Sequence, residues 1–415
     1  MASFKVHISN IARFHKIILF TLSVLVQFLY FRDCFSNTAL NQCLPSAVDS
    51  FDYEKRARVF LEFGFRAAFG DAFRVPGYPL LISFFIAHFG QVAFSALRIF
   101  QIILTSVTVL LVYRTLNDTF NKSTSFFASL IFLLMPSWYF SPLILAESLS
   151  YFLFVLLIIV SIKVINRRRL EIKELLIFTL LISLATYLKP NHILWVIPIL
   201  FLVLALSKAR LLATFALLAL LGICLSPWLI FVNRDTSSPF ILTSASGGNF
   251  YVGTGMQLNY DNGPLAKAAI FWKVDPKNNS NDIIHNTSNL DIRLLNDIYS
   301  AKALDIWMER PLRQMGFGLT KITIAFSIFT DSLLQLFLGI IFLVSLIFAI
   351  YVTMSRNFLS KSSIFCVLYL SFVLVLAFQA FVFQADRRFV FPILIPAWLL
   401  VFESFNPRIG KIRLR

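Results

Sequence analysis

The sequence predicts an all-α polytopic membrane protein. Of the 415 residues, 58% are hydrophobic and only 14% are charged, whereas soluble domains are nearer about 45–50% apolar and about 25% charged. Apolar runs of about 15–22 residues recur along the whole length, and a helix of about 20 such residues crosses a bilayer. We therefore interpret residues 1–415 as a single transmembrane domain.

Ten clear spans are predicted along the chain. Lys5, Arg13 and Lys16 precede the first apolar run, and no small-residue cleavage site follows it. This pattern favours an uncleaved first span over a removed signal peptide. Two shorter apolar stretches, 79–89 and 316–330, are ambiguous. The clear spans are 16–31, 96–113, 125–139, 149–164, 174–188, 193–206, 211–232, 332–352, 364–383 and 391–402.

The distribution of charge decides between topologies. If both ambiguous stretches lie in the interface, about ten spans remain, both termini are cytoplasmic, and cytoplasmic loops receive most of the Lys and Arg. That side then holds 18 Lys and Arg against 4 Asp and Glu, and the other side 19 against 17. A crossing at 79–89 would move the run Arg167-Arg168-Arg169 outside. We therefore expect about ten spans, within a range of 10–12. The net charge of +16 then needs no nucleic acid partner.

Two large extracytoplasmic segments follow from this topology. The first, 32–95, is expected to hold interfacial helices, because Pro76 and Pro79 suit a helix start better than a helix middle. Cys34 and Cys43 flank a short polar loop near its beginning, and whether they form a disulfide is left open. The second segment, 233–315, is polar and rich in Asn.

Ionisable residues collect at the predicted extracytoplasmic ends of the spans. Taken singly, each side chain is also compatible with snorkelling to headgroups or with a local ion pair. Taken together with Asp49, Asp52 and Arg74, they predict one polar cavity that opens outward at the membrane surface. The span-end residues are Arg98, Glu147, Lys189, Asp331, Arg387 and Arg388.

A cavity that holds both acids and bases suits sugar transfer from a lipid phosphate. Arginine binds phosphate in a bidentate manner, and a carboxylate accepts the proton of an attacking hydroxyl. Cations also stabilise the departing phosphate. A single base that activates the acceptor gives inversion at the sugar carbon by direct displacement.

Several short motifs occur in order along the chain. They are Asp49-Ser50-Phe51-Asp52-Tyr53 with Ala57, Arg74-Val75-Pro76-Gly77-Tyr78-Pro79, Leu97-Arg98 with Gln101, Ala146-Glu147-Ser148, Lys189-Pro190, Pro227-Trp228 with Gly247, Asn249, Tyr251 and Gly253, and Arg388-Phe389-Val390-Phe391-Pro392. With these motifs the chain resembles the GT-C glycosyltransferases, specifically the bacterial relatives of the protein O-mannosyltransferases and of the lipid A aminoarabinose and core galacturonic acid transferases. Two departures are the order Asn233-Arg234, where the family has Arg-Asn, and Phe389, where the family has Tyr.

The resemblance implies a GT-C fold and an inverting transferase that uses a polyprenyl-phosphate-linked sugar. Asp49 would be the general base, and Glu147 a second acid that orients acceptor or donor. Arg74, Lys189 and Arg388 would hold the lipid phosphate. The substrate-binding set implied is Asp52, Tyr53, Arg74, Tyr78, Arg98, Lys189, Asn249 and Arg388.

Several alternatives remain open at this point. Asp52 is a rival base, in which case Asp49 would cap the helix that follows. Some GT-C enzymes use a divalent ion, but no ligand spacing demands one here. The acceptor is a lipid, a glycan or a protein, and the expected location is the outer face of a bacterial cytoplasmic membrane. A pyrophosphate-lipid-dependent ligase or polymerase, and a lipid or sugar transporter, are the alternative functions; a transporter would show symmetric halves with broken helices.

Overall fold

The protein is described by a computed structural model. It defines residues 13–29, 48–117, 122–133, 144–234, 242–243, 249–251, 254, 292–325, 340, 343–347, 349–351, 353–354 and 361–382.

Helices account for nearly all of the described chain, and no strand occurs within it. Residues 13–29 form α1. The other helices are α2 (Val48–Phe63), α3 (Phe65–Phe69), α4 (Gly77–Phe89), α5 (Ala93–Asn117), α6 (Lys122–Leu133), α7 (Glu147–Arg167), α8 (Ile172–Leu188), α9 (Val196–Leu206), α10 (Arg210–Asn233), α11 (Ile292–Glu309), α12 (Pro311–Ala325) and α13 (Lys361–Val382).

Four helical segments in the described ranges are long and apolar enough to cross a membrane, namely Gly77–Asn117 (α4 and α5 with the turn between them), Glu147–Arg167, Arg210–Asn233 and Ser363–Val382. Pro190–Leu206 is a shorter apolar helix. The prediction of an all-α membrane protein is confirmed, and the count of about ten spans stays a prediction.

The predicted loop 32–95 contains α2, α3 and α4. As predicted from the prolines, α4 begins directly after Pro76. It ends at Gly90, whose φ of 51° lies in the left-handed region that favours glycine. A single 3₁₀ turn, Gly90–Val92, then leads into α5. The interfacial placement of these helices stays a prediction.

The chain divides into two compact units. Unit 1 comprises Met1–Ala68, Pro76–Lys163 and Leu180–His192. Within it α4 packs against α2 and α5, and α6 packs against α5. Its core includes Tyr53, Tyr78, Leu97 and the run Ile144–Ala146.

Unit 2 comprises Phe69–Val75, Val164–Thr179 and Ile193–Arg415. Within it α9 packs against α10 and α13, and α12 packs against α11 and α13. Gly318 in α12 lies under the ring of Phe381 in α13, so that a Cβ there would collide with the ring. The interpretation of residues 1–415 as one domain, with loops at 32–95 and 233–315, stays a prediction.

Candidate functional site

The centre of the candidate site is the first residue of α7. Ile144, Leu145 and Ala146 form a buried non-helical run that leads into Glu147, whose exposure is 2%. The helix starts here because Ala146 O accepts hydrogen bonds from both the backbone N–H and the hydroxyl of Ser150. Glu147 thus occupies the first turn of a 21-residue helix, where the helix dipole favours a negative charge.

Glu147 forms a buried ion pair with Lys189. The Lys189 ammonium donates to Glu147 Oε1 at 2.7 Å, and the two side chains are 11% and 2% exposed. Lys189 comes directly after α8, and its backbone N–H is still bonded to Ala185 O. The sequence placed Glu147 with the acceptor or donor and Lys189 with the phosphate; the structure joins the two residues.

Two further buried side chains, Tyr78 and Arg98, belong to the same region as this pair. Tyr78, on α4, is fully buried; its hydroxyl donates to Gln101 Oε1 at 3.3 Å. Electrostatic interactions link the phenol of Tyr78 to both Glu147 and Arg98, and Arg98 is 2% exposed. The ring of Tyr53 packs edge-on against that of Tyr78, with ring centroids 5.1 Å apart. Four predicted substrate-binding residues therefore belong to one region of unit 1 with Glu147: Tyr53, Tyr78, Arg98 and Lys189.

The close approach of α4 explains the glycine of the Pro-Gly-Tyr-Pro motif. A Cβ on Gly77 would collide with the carbonyl group of Tyr187, near the end of α8. Because Gly77 has no side chain, the start of α4 docks directly on the turn that precedes Lys189. Tyr78 is thereby brought into the same region as the ion pair.

The two acids of the first motif have different surroundings. Asp49 is half-buried in the first turn of α2. Asp52 Oδ1 lies 3.2 Å from Arg56 Nε, and Arg56 also donates to Ala68 O at 2.8 Å. The Asp52 carboxylate is therefore held against a guanidinium that is itself anchored to the backbone. α2 begins at Val48, so Asp49 lies inside the helix and not at its N-cap.

His192 lies one turn beyond Lys189. Its Nδ1 is 3.0 Å from Ala185 O, which fixes Nδ1 as the protonated nitrogen because a carbonyl oxygen only accepts. Burial, reinforced by the charge of Lys189, lowers the pKa of His192 to about 3. His192 is thus a neutral imidazole at physiological pH.

Arg74 belongs to unit 2. It is half-buried, and its guanidinium lies 5.1 Å from the centre of the Phe73 ring. The loop that carries it is fixed by an Asx turn from Asp71 to the Phe73 N–H and by a hydrogen bond from Thr243 to Phe73 O. Its predicted phosphate contact stays a prediction.

The remaining predicted residues belong to unit 2 or lie outside the described residues. Asn249 is exposed, in a short helical run of unit 2 that also contains buried Tyr251, which packs on Tyr299. Arg388, Cys34 and Cys43 lie outside the described residues. The part of the chain that is described contains no group of three or more His, Cys, Asp or Glu side chains arranged to hold a metal ion. A divalent cation stays an open prediction.

Comparison with known proteins supports the resemblance. Residues 74–231 match the family model described as dolichyl-phosphate-mannose-protein mannosyltransferase. This stretch, which is less than half of the chain, is similar to these mannosyltransferases. The matched stretch contains Arg74, Tyr78, Arg98, Glu147 and Lys189 but not Asp49. The family indicates a membrane glycosyltransferase of the GT-C class, which confirms the recognition made from the motifs. No curated protein and no solved structure matches the chain.

Sequence reasoning missed two residues of this site. Ser50 and Gln101 were present in the motifs but had no role, and both side chains are fully buried at the segment before Glu147. Their motif positions are the only signal in the sequence, because a single serine or glutamine on a helix has many ordinary uses.

Proposed function

We propose that the protein transfers a sugar, with inversion, from a polyprenyl-phosphate-linked donor to a hydroxyl acceptor on the extracytoplasmic face of a bacterial cytoplasmic membrane. The acceptor is a lipid, a glycan or a protein. The main observation behind the proposal is that the first turn of α2, which contains Asp49, is hydrogen-bonded to the segment that leads into Glu147. Ser50, the residue after Asp49, donates a hydrogen bond to Ile144 O, three residues before Glu147.

Asp49 is the general base in this proposal. The assignment follows the motif, in which Asp49 opens the first predicted external loop; Asp49 and Asp52 are both half-buried, and Asp52 pairs with Arg56. A carboxylate takes the proton from the acceptor hydroxyl as the oxygen attacks the anomeric carbon. The bond from that carbon to the phosphate oxygen breaks, and the lipid phosphate leaves as an anion.

The cations stabilise the departing phosphate, since oriented positive charge in a water-poor site lowers the barrier for a leaving anion. Arg74 and Arg388 are assigned this role on the family resemblance. Lys189 donates a hydrogen bond to Glu147, so its first role is to hold that carboxylate. A contact with the phosphate would be a second role. Glu147 orients the acceptor or the donor.

The decisive test replaces Asp49 by Asn in a transfer assay with a radiolabelled polyprenyl-phosphate sugar. We expect Asp49→Asn to lower kcat by roughly 10²–10⁴-fold, the usual contribution of a general base. Asp52→Asn is the comparison variant, because it neutralises a carboxylate of the same helix; a substrate-binding role for Asp52 predicts a smaller loss of kcat than that of Asp49→Asn. Full activity of Asp49→Asn, with loss in Asp52→Asn, would reverse the assignment.

Two further measurements test the donor and the sidedness. Competition between monophosphate and pyrophosphate lipids is expected to show inhibition by the monophosphate; preference for the pyrophosphate would favour a ligase or polymerase. A cysteine placed beside Arg168 is expected to react only with reagents that cross the membrane. Labelling of that cysteine from outside would overturn the proposed topology.

A further inference from the structure

The three successive carbonyl groups of the run Ile144–Ala146 accept hydrogen bonds from three different helices. Ile144 O accepts from the Ser50 hydroxyl at 2.9 Å, and Leu145 O accepts from Gln101 Nε2 at 2.8 Å. Ala146 O accepts within α7 itself. The segment directly before Glu147 is therefore fixed from α2, from α5 and from its own helix.

Both donors are fully buried, as are the residues whose carbonyls they bond. A carbonyl in such a place loses its partner entirely if the donor is removed, because bulk water does not replace it. The two bonds also join positions 94 and 44 residues apart in sequence. They are tertiary contacts that α7 cannot make by itself.

Tyr78 orients the amide of Gln101. A carbonyl oxygen only accepts, so the NH₂ group of Gln101 must face Leu145 O. The amide oxygen then faces the Tyr78 hydroxyl, which donates to it. The chain Tyr78–Gln101–Leu145 links α4 and α5 to the start of α7.

We propose that Ser50 and Gln101 are positioning residues that fix Glu147 relative to Asp49. Ser50 is the residue next to Asp49, and its hydroxyl bonds Ile144 O. Gln101, on α5, bonds Leu145 O. Lys189 holds the carboxylate of Glu147, while these two residues hold its backbone. This inference rests on the proposed function, since it assigns Asp49 and Glu147 to one reaction.

The test uses the full-length protein in detergent or vesicles, with Ser50→Ala, Ser50→Thr and Gln101→Met. Threonine keeps the hydroxyl, so Ser50→Thr is the rescue variant. Ser161→Ala is the matched control, because it removes an equally buried hydroxyl of α7 that bonds only its own helix, at Leu157 O. The readouts are kcat and donor KM in the transfer assay, and amide hydrogen exchange of a peptide covering 144–150.

We expect Ser50→Ala and Gln101→Met to lower kcat by roughly 10- to 100-fold with little change in donor KM, since small misplacements of a reacting group have effects of this size. Exchange in peptide 144–150 should accelerate in both variants. Ser50→Thr and Ser161→Ala should resemble the wild type in both readouts.

Three results would overturn the inference: unchanged exchange in Ser50→Ala, faster exchange with unchanged kcat, or an equal loss of kcat in Ser50→Ala and Ser50→Thr. Absence of any transfer from polyprenyl-phosphate sugars by the wild type would instead overturn the proposed function. The exchange measurement needs no turnover, so it distinguishes that failure from a failure of the positioning role.

Discussion

The two ends of α7 carry the same type of interaction in different surroundings. At the first turn, Glu147 pairs with Lys189 at 2.7 Å, and both side chains are nearly inaccessible. At the last turn, Arg167 pairs with Glu174 at 3.2 Å; the Glu174 side chain is 8% exposed, but that of Arg167 is 54% exposed. Both pairs join α7 to the region of α8, so their chemistry and their place in the chain are alike. Both acids are buried, and the main difference is the exposure of the cation, 11% for Lys189 and 54% for Arg167.

Burial changes what each pair can do. An exposed ion pair contributes about 0–1 kcal/mol and is weakened by salt. Removing one partner of a buried pair leaves an uncompensated charge and costs about 3–5 kcal/mol. A buried pair is expensive to keep, which makes the first turn of α7 a functional candidate and the last turn an ordinary surface contact.

The largest expected effect comes from breaking the buried pair. Lys189→Met and Glu147→Gln should each lower the free energy of unfolding by about 3–5 kcal/mol and abolish sugar transfer. The double variant should be less destabilised than the sum of the two, because neither charge remains. Thermal unfolding of purified protein measures both statements. If Lys189→Met and Glu147→Gln were as stable as the wild type, the two ion pairs at the ends of α7 would not differ in their contribution to stability.

A smaller effect is expected from His192, beside the buried pair. The folded protein protonates His192 only near pH 3, whereas the unfolded chain does so near 6.5. The unfolded state therefore binds more protons in this window, and stability should fall as pH drops from about 6.5 towards 3. His192→Asn, whose amide can donate to Ala185 O, should reduce this slope in pH-dependent melting.

The matched control is His88→Asn. His88 resembles His192 in that its Nδ1 lies 2.8 Å from a backbone carbonyl oxygen, that of Phe84, but His88 is exposed. An equal change of slope in the two variants would show that burial near Lys189 is not the cause.

The smallest effect is expected at the exposed end. Arg167→Gln should change the free energy of unfolding by less than about 1 kcal/mol, and by still less at high salt. Lys173 lies 3.9 Å from Glu174 and 2.9 Å from Glu171, whose pKa it lowers, so charge compensation remains after the substitution. A loss as large as that of Lys189→Met would contradict the comparison.

The sequence by itself determined the class of the protein. Apolar runs require helices, because a bilayer leaves no other partner for backbone N–H and C=O groups. Most described helices lie at the predicted runs, and α4 begins after Pro76 as predicted. Motif order was enough to recognise the glycosyltransferase relationship, which the match over residues 74–231 confirms.

Only the tertiary structure decided which side chains meet. Glu147 and Lys189 are separated by 42 residues, and each had been given its own role because sequence spacing says nothing about contacts between distant helices. The roles of Ser50 and Gln101 were equally invisible, since they depend on the carbonyls of a non-helical run. Each of these contacts depends on burial, which is a property of the packed chain and not of the sequence. In a buried place, a common polar residue can hold a reacting group in position because water does not replace its hydrogen bond.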